Sequence, residues 1–232
     1  MAMISIITPV LNEEENIVAF LDNLNTLKGE FELIFVDGGS TDGTLKEIKK
    51  NKSRLKQKVK ILSSPKGRAV QMNSGAAKAK GDILLFLHVD TQIESGSLLA
   101  IEDMLKDKKV VGGGFTHRFS GEDKILKMVC ILGNMRVRFS QIFYGDYGIF
   151  IRRDIFEKMG GYDEVPILED VELCKKAKKY GKLRQIEAKL ITSPRRFESF
   201  GTFKIFAFFL IALALNIFGK RPEFLIKYIA EK

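Results

Sequence analysis

Acidic and basic side chains directly follow short apolar runs in this sequence, and their types suit the binding of a phosphorylated nucleoside. Asp37 follows the run Phe31–Val36 and precedes two glycines, which let a ligand approach the backbone closely. Its carboxylate could accept a hydrogen bond from a ring N–H or a ribose hydroxyl. Lys66 and Arg68 begin a helical pattern, where both could contact phosphate oxygens. The alternatives are that Asp37 only caps a turn and that the basic pair lies on an ordinary surface.

Two further groups of residues could take part in catalysis. His88 and Asp90 follow the apolar run Ile83–Leu87, and a carboxylate that leaves a buried strand needs a partner, water or a metal ion. Oxygen ligands and substrate phosphates usually hold Mg²⁺ or Mn²⁺, and His88 could ligate Mn²⁺ or point away. Glu169 and Asp170 open a helical stretch, where either could act as a general base or both could only complement the helix dipole.

Alternating strands and helices are predicted to bring these residues to one edge of a sheet. Compact apolar runs alternate with helical periodicity up to Asp90, which is typical of a mostly parallel sheet with helices on both faces. Ligands of such proteins bind at the carboxyl edge of the sheet. Asn12 and either Ser40 or Thr41 are the predicted helix N-caps. The predicted strands are Ile4–Thr8, Phe31–Val36, Val59–Leu62 and Ile83–Leu87, and the predicted helices are Glu13–Leu27, Thr41–Lys50 and Gly67–Lys80.

The elements after Asp90 alternate less regularly. No proline-rich or serine-rich linker and no internal repeat interrupts this part of the sequence, which favours one continuous domain. The predicted elements are a helix over Ser97–Lys106, an extended segment Val110–Arg118, a helix over Asp123–Val137, a strand over Gly145–Arg152, a helix over Leu168–Tyr180 and a strand over Leu183–Ile191.

The composition is that of an ordinary globular protein with a basic surface. The 232 residues are 45% hydrophobic and 29% charged, which argues against disorder. A net charge of +9 suits phosphates or an anionic membrane, and we expect no nucleic-acid partner because no nucleic-acid-binding motif accompanies it. Cys130 and Cys174 lie far apart without metal-ligand spacing, which argues for reduced thiols. The N-terminus leads straight into an apolar strand, so we expect no signal peptide and a cytoplasmic protein.

The C-terminal region carries an apolar segment whose partner the sequence leaves open. Ile205–Leu215 is uninterrupted apolar sequence between Lys204 and Lys220–Arg221. It is shorter than the roughly 20 residues that span a bilayer. It could pack inside the protein or between subunits of a homo-oligomer, or lie at a membrane surface with its basic flanks near lipid phosphates. We therefore predict a domain over residues 1–197 and a helical appendage over residues 198–232.

Five motifs together resemble the family-two glycosyltransferases of the GT-A fold, over Ile4–Phe197. Each motif is weak alone, whereas five in the same order are specific. The resemblance implies an α/β GT-A fold, with a mostly parallel central sheet flanked by helices. The motifs are Thr-Pro-Val-Leu-Asn-Glu-Glu from Thr8, Val-Asp-Gly-Gly-Ser-Thr-Asp-Gly-Thr from Val36, Gly-Arg-Ala-Val-Gln-Met-Asn-Ser-Gly-Ala from Gly67, Leu-His-Val-Asp-Thr from Leu87 and Leu-Glu-Asp-Val-Glu-Leu from Leu168.

The resemblance also implies roles for individual residues. Asp90 corresponds to the last acid of the family's Asp-x-Asp metal motif, and Asp170 corresponds to the catalytic base. The late Arg-Arg-Phe motif resembles a segment that helps to hold the leaving diphosphate in some relatives. The implied nucleotide-sugar site comprises Pro9, Leu11, Glu13, Asp37, Gly38, Lys66, Arg68, Arg195 and Arg196, and the implied acceptor side comprises Tyr144, Asp146 and Glu169.

Two positions depart from the family pattern. His88 stands where the first acid of Asp-x-Asp is expected, and Gly38 stands where a second acid after the second strand is usual. His88 is therefore a second candidate metal ligand beside Asp90. The His-x-Asp-Thr pattern, the Gly-Asp-Tyr-Gly stretch from Gly145 and Ser-Pro-Arg-Arg-Phe from Ser193 resemble a small bacterial and archaeal subgroup associated with arsenosugar biosynthesis.

The predicted function is that of an inverting glycosyltransferase of the hexosyltransferase class. It would move a sugar from a nucleoside-diphospho-sugar, with a UDP-sugar favoured, to a hydroxyl of a small or lipid-linked acceptor. The implied cofactor is a divalent cation, Mn²⁺ or Mg²⁺. We expect the protein in the cytoplasm, either free or peripheral on the inner face of the cell membrane. The alternative is a non-catalytic membrane-surface protein that binds a nucleotide-sugar or a polyprenyl phosphate.

Overall fold

A computed structural model describes residues 2–165 and 168–193 of the chain. These residues form one eight-stranded sheet with helices on both of its faces. The strands are β1 Ile4–Val10, β2 Phe31–Asp37, β3 Val59–Ser63, β4 Ile83–Phe86, β5 Thr91–Ile93, β6 Val110–Phe119, β7 Ile149–Arg152 and β8 Lys182–Thr192. The helices are α1 Ile17–Leu24, α2 Thr44–Asn51, α3 Arg68–Ala76, α4 Ser97–Met104, α5 Lys124–Ser140, α6 Arg153–Lys158 and α7 Glu169–Ala177.

The strands lie in the order β3-β2-β1-β4-β7-β6-β8-β5. β1 pairs in parallel with β2 and β4, and β2 pairs in parallel with β3. β7 runs antiparallel between β4 and β6, while β6 and β8 are parallel. Because β7 is reversed, Ile149 at its start pairs with Phe86 at the end of β4. The segment before β7 therefore meets the carboxyl ends of β1, β2 and β4 at one edge of the sheet.

The central strands are buried on both faces. All seven residues of β1 are buried, and neighbouring side chains alternate between two apolar clusters. Ile6 belongs to the cluster that includes α1 and α4, and Ile7 belongs to the cluster that includes α3, α5, α6 and α7. A strand buried on both faces is apolar along most of its length, with Ser5, Thr8 and Glu32 as buried exceptions in β1 and β2, which is why these strands could be predicted as apolar runs. The predicted mostly parallel sheet flanked by helices is confirmed.

The predicted helix N-caps are wrong. Asn12 has a left-handed backbone conformation with φ 54°, and its Oδ1 accepts a hydrogen bond from the N–H of Thr41 at 2.8 Å. The backbone N–H of Asn12 in turn donates to the hydroxyl of Ser40 at 3.1 Å. α1 begins later, after Asn16, and α2 begins after Gly43. The polar residues predicted as caps therefore join two neighbouring loops instead of starting helices.

The predicted strand over Gly145–Arg152 is correct only in its second part. Gly145–Tyr147 forms one turn of 3-10 helix, and Gly148 with φ 59° separates this turn from β7. β5 and α6 were not predicted, since three and six residues are too few to show a clear period.

Residues 194–232 lie outside the described residues. The predicted roles of Arg195 and Arg196, and the predicted appendage over residues 198–232, fall in that region, and the boundary at residue 197 stays a prediction. Within residues 2–165 and 168–193, no helix has the length and apolar character needed to cross a bilayer.

Candidate active site

Asp37 ends β2 at the edge where the strand ends meet, and it is almost fully buried. Oδ2 accepts a hydrogen bond from the N–H of Gly39 at 3.1 Å. Oδ1 accepts hydrogen bonds from the N–H and the hydroxyl of Ser40 at 3.1 and 2.5 Å. A carboxylate has about four lone-pair positions, and the N–H of Ser40 also lies 3.3 Å from Oδ2, so the loop itself makes four contacts with this carboxylate. The structure shows the turn-capping role of Asp37, and ligand binding by its carboxylate stays a prediction.

Gln71 of α3 holds the ends of β1 and β2 together, and sequence reasoning missed it. Its Nε2 donates hydrogen bonds to the carbonyl oxygens of Val10 at 3.0 Å and Val36 at 2.8 Å. A Cβ on Gly38 would lie 3.0 Å from atoms of this amide. The buried amide of Gln71 thus occupies the space beside the position where an acid was expected. An amide on the buried face of a helical pattern is the signal that could have identified it.

The loops that follow β1 and β2 are fastened to each other. Besides the bonds of Asn12, the N–H of Glu13 donates to the hydroxyl of Thr44 at 2.8 Å. Leu11 and Glu13 are partly exposed in the first of these loops. Leu11, Glu13 and Gly38 therefore lie in two loops that form one connected unit at the same edge of the sheet as Asp37, and Pro9 lies near the end of β1.

A narrow cleft opens at the end of β4, and it brings together several predicted site residues. The point where a Cβ on Gly145 would lie is 2.9 Å from Nε2 of His88 and 3.5 Å from Oδ2 of Asp170. Glycine at position 145 therefore allows the imidazole and the carboxylate to approach the same stretch of backbone. The cleft is lined by Pro9, His88, Gly145, Tyr162, Glu169 and Asp170, among others.

Asp170 is a buried carboxylate with an unusual proton affinity. Burial raises its pKa to about 7, and the neighbouring carboxylate of Glu169 acts in the same direction. The charge of Arg68 and hydrogen bonds from the N–H groups of Gly145 and Val171 oppose this rise. A carboxylate with such a pKa exchanges its proton near neutral pH, which is what a general base requires.

Arg68 spans from α3 to α7. Its Nε lies 3.1 Å from Oε1 of Glu169, whose side chain is only 5% exposed, whereas the side chain of Arg68 is 45% exposed. The guanidinium has five N–H donors, so this ion pair engages one edge of it. Lys66 is exposed two residues earlier, and Gly67 with φ 146° provides the turn between them. Arg68 thus begins α3 and pairs with Glu169 of the cleft lining, while Lys66 precedes the helix by two residues.

The predicted metal ligands do not form a complete protein site. His88 lines the cleft, whereas Asp90 lines an adjacent groove together with Asn16 and Ser193. The intervening turn is held by hydrogen bonds from the N–H and hydroxyl of Thr91 to the carbonyl of His88, at 3.2 and 2.6 Å. In the part of the chain that the structure describes, no group of three or more His, Cys, Asp or Glu residues could hold a metal ion.

The predicted acceptor side contains a partly buried group of charges. The guanidinium of Arg136, which was not predicted, lies 4.2 Å from the ring centre of Tyr144. Asp146 Oδ2 lies 3.8 Å from Nε2 of the buried His117, and burial lowers the pKa of that imidazole despite the acid. Among the described residues, Oδ1 of Asp146 and both Nε and Nη2 of Arg136 are buried without a hydrogen-bond partner.

A wider cavity lies at the opposite edge of the sheet, and Arg152 in its lining has a structural role. Arg152 in this cavity donates hydrogen bonds to the carbonyl oxygens of Val110 at 3.0 Å and Leu105. Asp37, His88 and Asp90, which lie at the strand ends, do not line this cavity. The carboxyl edge is therefore the better candidate for an active site.

The sequence matches a known family across this region. Residues 5–160, more than half of the chain, match the family described as Glycosyl transferase family 2. The chain belongs to glycosyl transferase family 2. The matched residues include the strand ends that carry Asp37, His88 and Asp90, and the predicted family is thereby confirmed.

Individual relatives are about a quarter identical to this chain over the aligned residues. A β-monoglucosyldiacylglycerol synthase of Nostoc sp. is 25% identical over 186 residues, covering 73% of this chain and 40% of the relative. Glycosyltransferase AglE of Haloferax volcanii is 28% identical over 169 residues, covering 68% of this chain and 55% of the relative. The chain thus spans about half of the length of these curated relatives or less.

Solved structures of glycosyltransferases share the fold. Mannosyltransferase PcManGT from Pyrobaculum calidifontis, in complex with GDP-Man and Mn²⁺, aligns with a TM-score of 0.66 at 20% identity, covering 81% of this chain and 56% of that chain. Staphylococcus aureus TarS, in complex with UDP-GlcNAc, aligns with a TM-score of 0.66 at 20% identity, covering 82% and 58%. These alignments confirm the predicted GT-A-like fold.

Proposed function

We propose that this family 2 protein transfers a sugar from a nucleoside-diphospho-sugar to an acceptor hydroxyl, with inversion at the anomeric carbon. The observation that carries the proposal is Asp170, a buried carboxylate with a pKa of about 7 at the carboxyl edge of the sheet. A general base is most effective when its pKa lies near the working pH. Family membership and the nucleotide-sugars bound to PcManGT and TarS support this class of donor.

The proposed reaction is a single displacement. Asp170 takes the proton of the acceptor hydroxyl while the acceptor oxygen forms its bond to the anomeric carbon. The bond from this carbon to the β-phosphate oxygen breaks on the opposite face, and the nucleoside diphosphate leaves with the electron pair. Lys66 and Arg68 stabilise the charge that develops on the leaving phosphates. Arg195 and Arg196 are proposed to assist them from the region beyond the described residues.

The donor set of this site fits a divalent cation that shares its coordination with the substrate. The carboxylate of Asp90 suits Mn²⁺ or Mg²⁺ when phosphate oxygens and water provide the other ligands, and the imidazole of His88 would suit Mn²⁺. The cation would neutralise charge on the diphosphate. The nucleoside end of the donor is assigned to Asp37 and its surroundings, namely Pro9, Leu11, Glu13 and Gly38, and UDP is the favoured nucleotide.

The acceptor side is assigned to Tyr144, Asp146 and Glu169, with a small-molecule or lipid-linked acceptor. We place the protein in the cytoplasm, free or peripheral on the inner face of the cell membrane, as a monomer or a homo-oligomer. The motif resemblance to the arsenosugar-associated subgroup is part of this proposal as a hypothesis about the pathway. The predicted hexosyltransferase class likewise belongs to the proposal.

A second candidate function is binding of a nucleotide-sugar or polyprenyl phosphate without turnover. It is favoured by the replacement of a family acid by His88 and by the incomplete metal-ligand group among the described residues. Product formation separates the two candidates. Tight donor binding without product, across a panel of acceptors and metal ions, would favour the binding protein.

Donor binding is the first test, and Asp37 is the residue to change. We expect calorimetry to show Mn²⁺-dependent binding of one of UDP, GDP and dTDP to the full chain, and loss of that binding in Asp37→Ala. Ser40→Ala is the matched control, because it removes the two hydroxyl bonds, to Asp37 and from the N–H of Asn12, but keeps the carboxylate, and it should retain binding. Equal weakening in both variants would reduce Asp37 to a loop-shaping residue.

The role of Asp170 is tested by the transfer rate. Asp170→Asn should lower the rate by about a hundredfold or more, which is the usual contribution of a general base, and should leave nucleotide binding intact. Asp103→Asn is the control, since Asp103 lies exposed on α4 and pairs with Lys106. Full activity in Asp170→Asn would exclude Asp170 as the base, whereas lost nucleotide binding would make it a structural residue.

A further inference from the structure

Helix α5 presents an apolar face to solvent. The described residues include eight exposed large apolar side chains, and six of them lie on α5 with exposures between 36% and 85%. Their spacing of three and four residues places them on one side of the helix. We call this set the α5 stripe; its members are Ile125, Met128, Ile131, Leu132, Met135 and Phe139.

The other side of α5 already packs against the protein. Its buried residues are Leu126, Val129, Cys130, Gly133 and Val137. The helix is therefore apolar on two sides, whereas a helix that only covers a core is polar on its outer side. The α5 stripe does not contribute to the described core, so it needs another explanation.

Basic side chains border the α5 stripe. The 17 residues of α5 contain Lys124, Lys127, Arg136 and Arg138 and no acid. The helical repeat places Lys127 and Arg138, both exposed, along one border of the stripe and the exposed Lys124 between its members. Lys127 also pairs with Glu122, which precedes the helix. An apolar side flanked by basic residues is typical of a helix that lies in the membrane interface, with its basic groups near lipid phosphates.

We propose that the α5 stripe binds the surface of a membrane that contains anionic lipid. Charge complementarity favours this partner, because a second copy of α5 would bring basic residues against basic residues. The segment Ile205–Leu215 of the same chain carries no acid and is itself flanked by Lys204 and Lys220–Arg221. Neither of these occupants supplies negative charge to Lys124 and Arg138.

The position of α5 links this surface to the proposed active site. The helix ends at Ser140, and five residues later the N–H of Gly145 donates a hydrogen bond to Asp170. Arg136, in the last turns of the helix, contacts Tyr144. Membrane binding through the stripe would hold the acceptor side of the cleft close to lipid headgroups. This consequence rests on the proposed function, while membrane binding itself does not.

Flotation of the full chain with vesicles tests the proposal. The probes are vesicles of phosphatidylcholine alone and of phosphatidylcholine mixed with phosphatidylglycerol at about three to one. We expect binding to the anionic vesicles, weakened by high salt, and a drop of about tenfold or more in Ile131→Glu/Met135→Glu. Leu99→Glu on α4 is the matched control, because Leu99 is 41% exposed outside the stripe, and it should bind like the wild type.

Each other outcome would overturn the proposal. No binding of the wild type would do so, as would equal binding of the stripe variant, which would assign lipid binding to another part of the chain. If light scattering showed that the wild type is an oligomer and the variant is a monomer, and the wild type did not bind lipid, the stripe would be an interface between two copies of the chain. A melting temperature lowered only in the stripe variant, again without lipid binding, would assign it to the chain's own residues. Transfer to a soluble acceptor is measured separately, so its absence would count against the proposed function and leave the flotation result unchanged.

Discussion

Two buried acids, one in a strand and one on a helix that packs beside the other half of the sheet, have pKa values that are shifted in opposite directions. Glu32 in β2 is 4% exposed, and Asp170 at the start of α7 is 9% exposed. Burial raises the pKa of Glu32, but hydrogen bonds and charge from Lys60, together with hydrogen bonds from Ser5 and Lys80, reverse this and lower it overall. Asp170 has a like charge beside it, and its pKa rises to about 7.

The difference shows that pairing, and not burial alone, decides how a buried acid behaves. The half that contains β1–β4 satisfies its acid with a cation at 2.8 Å and two further donors. In the other half, Asp170 of α7 lies next to the cleft. Arg68 and two backbone hydrogen bonds only partly offset the effect of burial on its pKa. Strongly perturbed proton affinities of this kind concentrate at functional sites. The contrast therefore separates a structural acid from a candidate catalytic one.

The largest expected effect is a change in the pH dependence of stability in Asp170→Asn. The folded-state pKa lies above the ordinary value of 3.8, so the folded protein retains a proton that the unfolded chain loses. Wild-type stability should therefore fall, relative to the variant, as the pH rises from about 4 to about 7. A pKa raised from 3.8 to about 7 corresponds to at most about 4 kcal/mol.

Urea unfolding of both proteins across this pH range measures the difference and cancels the titration of other groups. If the difference in free energy of unfolding between the two proteins did not change with pH, Asp170 would have an ordinary pKa. In that case the contrast with Glu32 would disappear.

Glu32→Gln should show the opposite sign and a smaller size. The variant loses the ion pair with Lys60 and weakens the bonds from Ser5 and Lys80, which should cost about 1–3 kcal/mol at neutral pH. Because the folded-state pKa is lowered, this contribution is present above the ordinary value of 4.5 and is lost as the pH falls through the lower, folded-state pKa.

Chemical denaturation at neutral and acid pH checks this prediction. Asp103→Asn serves as the control, since both members of its ion pair with Lys106 are more than 75% exposed and such pairs contribute little. If Glu32→Gln and Asp103→Asn had equally small effects at neutral pH, pairing would not explain the low pKa of Glu32.

The placement of Asp37 at the edge of the sheet could be predicted because its contacts are local in sequence. Asp37 follows an apolar run directly, and its hydrogen-bond donors are two and three residues away. Each strand, its loop and its helix are contiguous, so one pattern contains the whole unit. The errors in this half concern the loops, where Asn12 bonds to a residue 29 positions away instead of starting a helix.

The other contacts of the site depend on distant parts of the chain, and no local pattern contains them. Gln71 bonds to carbonyls 61 and 35 residues away, and Gly145 approaches Asp170 across 25 residues. The raised pKa of Asp170 likewise arises from folding, because burial is its main cause. Family resemblance could point to Asp170 as the base, but only the folded geometry explains why its proton affinity suits that role.

The smallest expected effect is a shift in the pH at which transfer reaches half of its maximal rate. If Asp170 is the base, the rate rises as its proton is lost, with a midpoint near pH 7. Glu169→Gln removes a like charge and should move the midpoint to lower pH, whereas Arg68→Gln removes an opposite charge and should move it to higher pH. Each shift should be roughly one pH unit or less. Lys175→Gln is the control on the same helix, because Lys175 is exposed and pairs with Glu172.

The direction of the two shifts is more informative than the rates themselves. Arg68→Gln should also slow transfer, because Arg68 is proposed to stabilise the leaving phosphates, but a loss of rate alone does not move the midpoint. Opposite shifts would show that both residues act on Asp170 through their charge, and they would make Glu169 a positioning residue and not an acceptor contact. Shifts in the same direction, or none, would mean that a different group controls the pH profile. The electrostatic contrast between the two halves of the sheet would then have no role in catalysis.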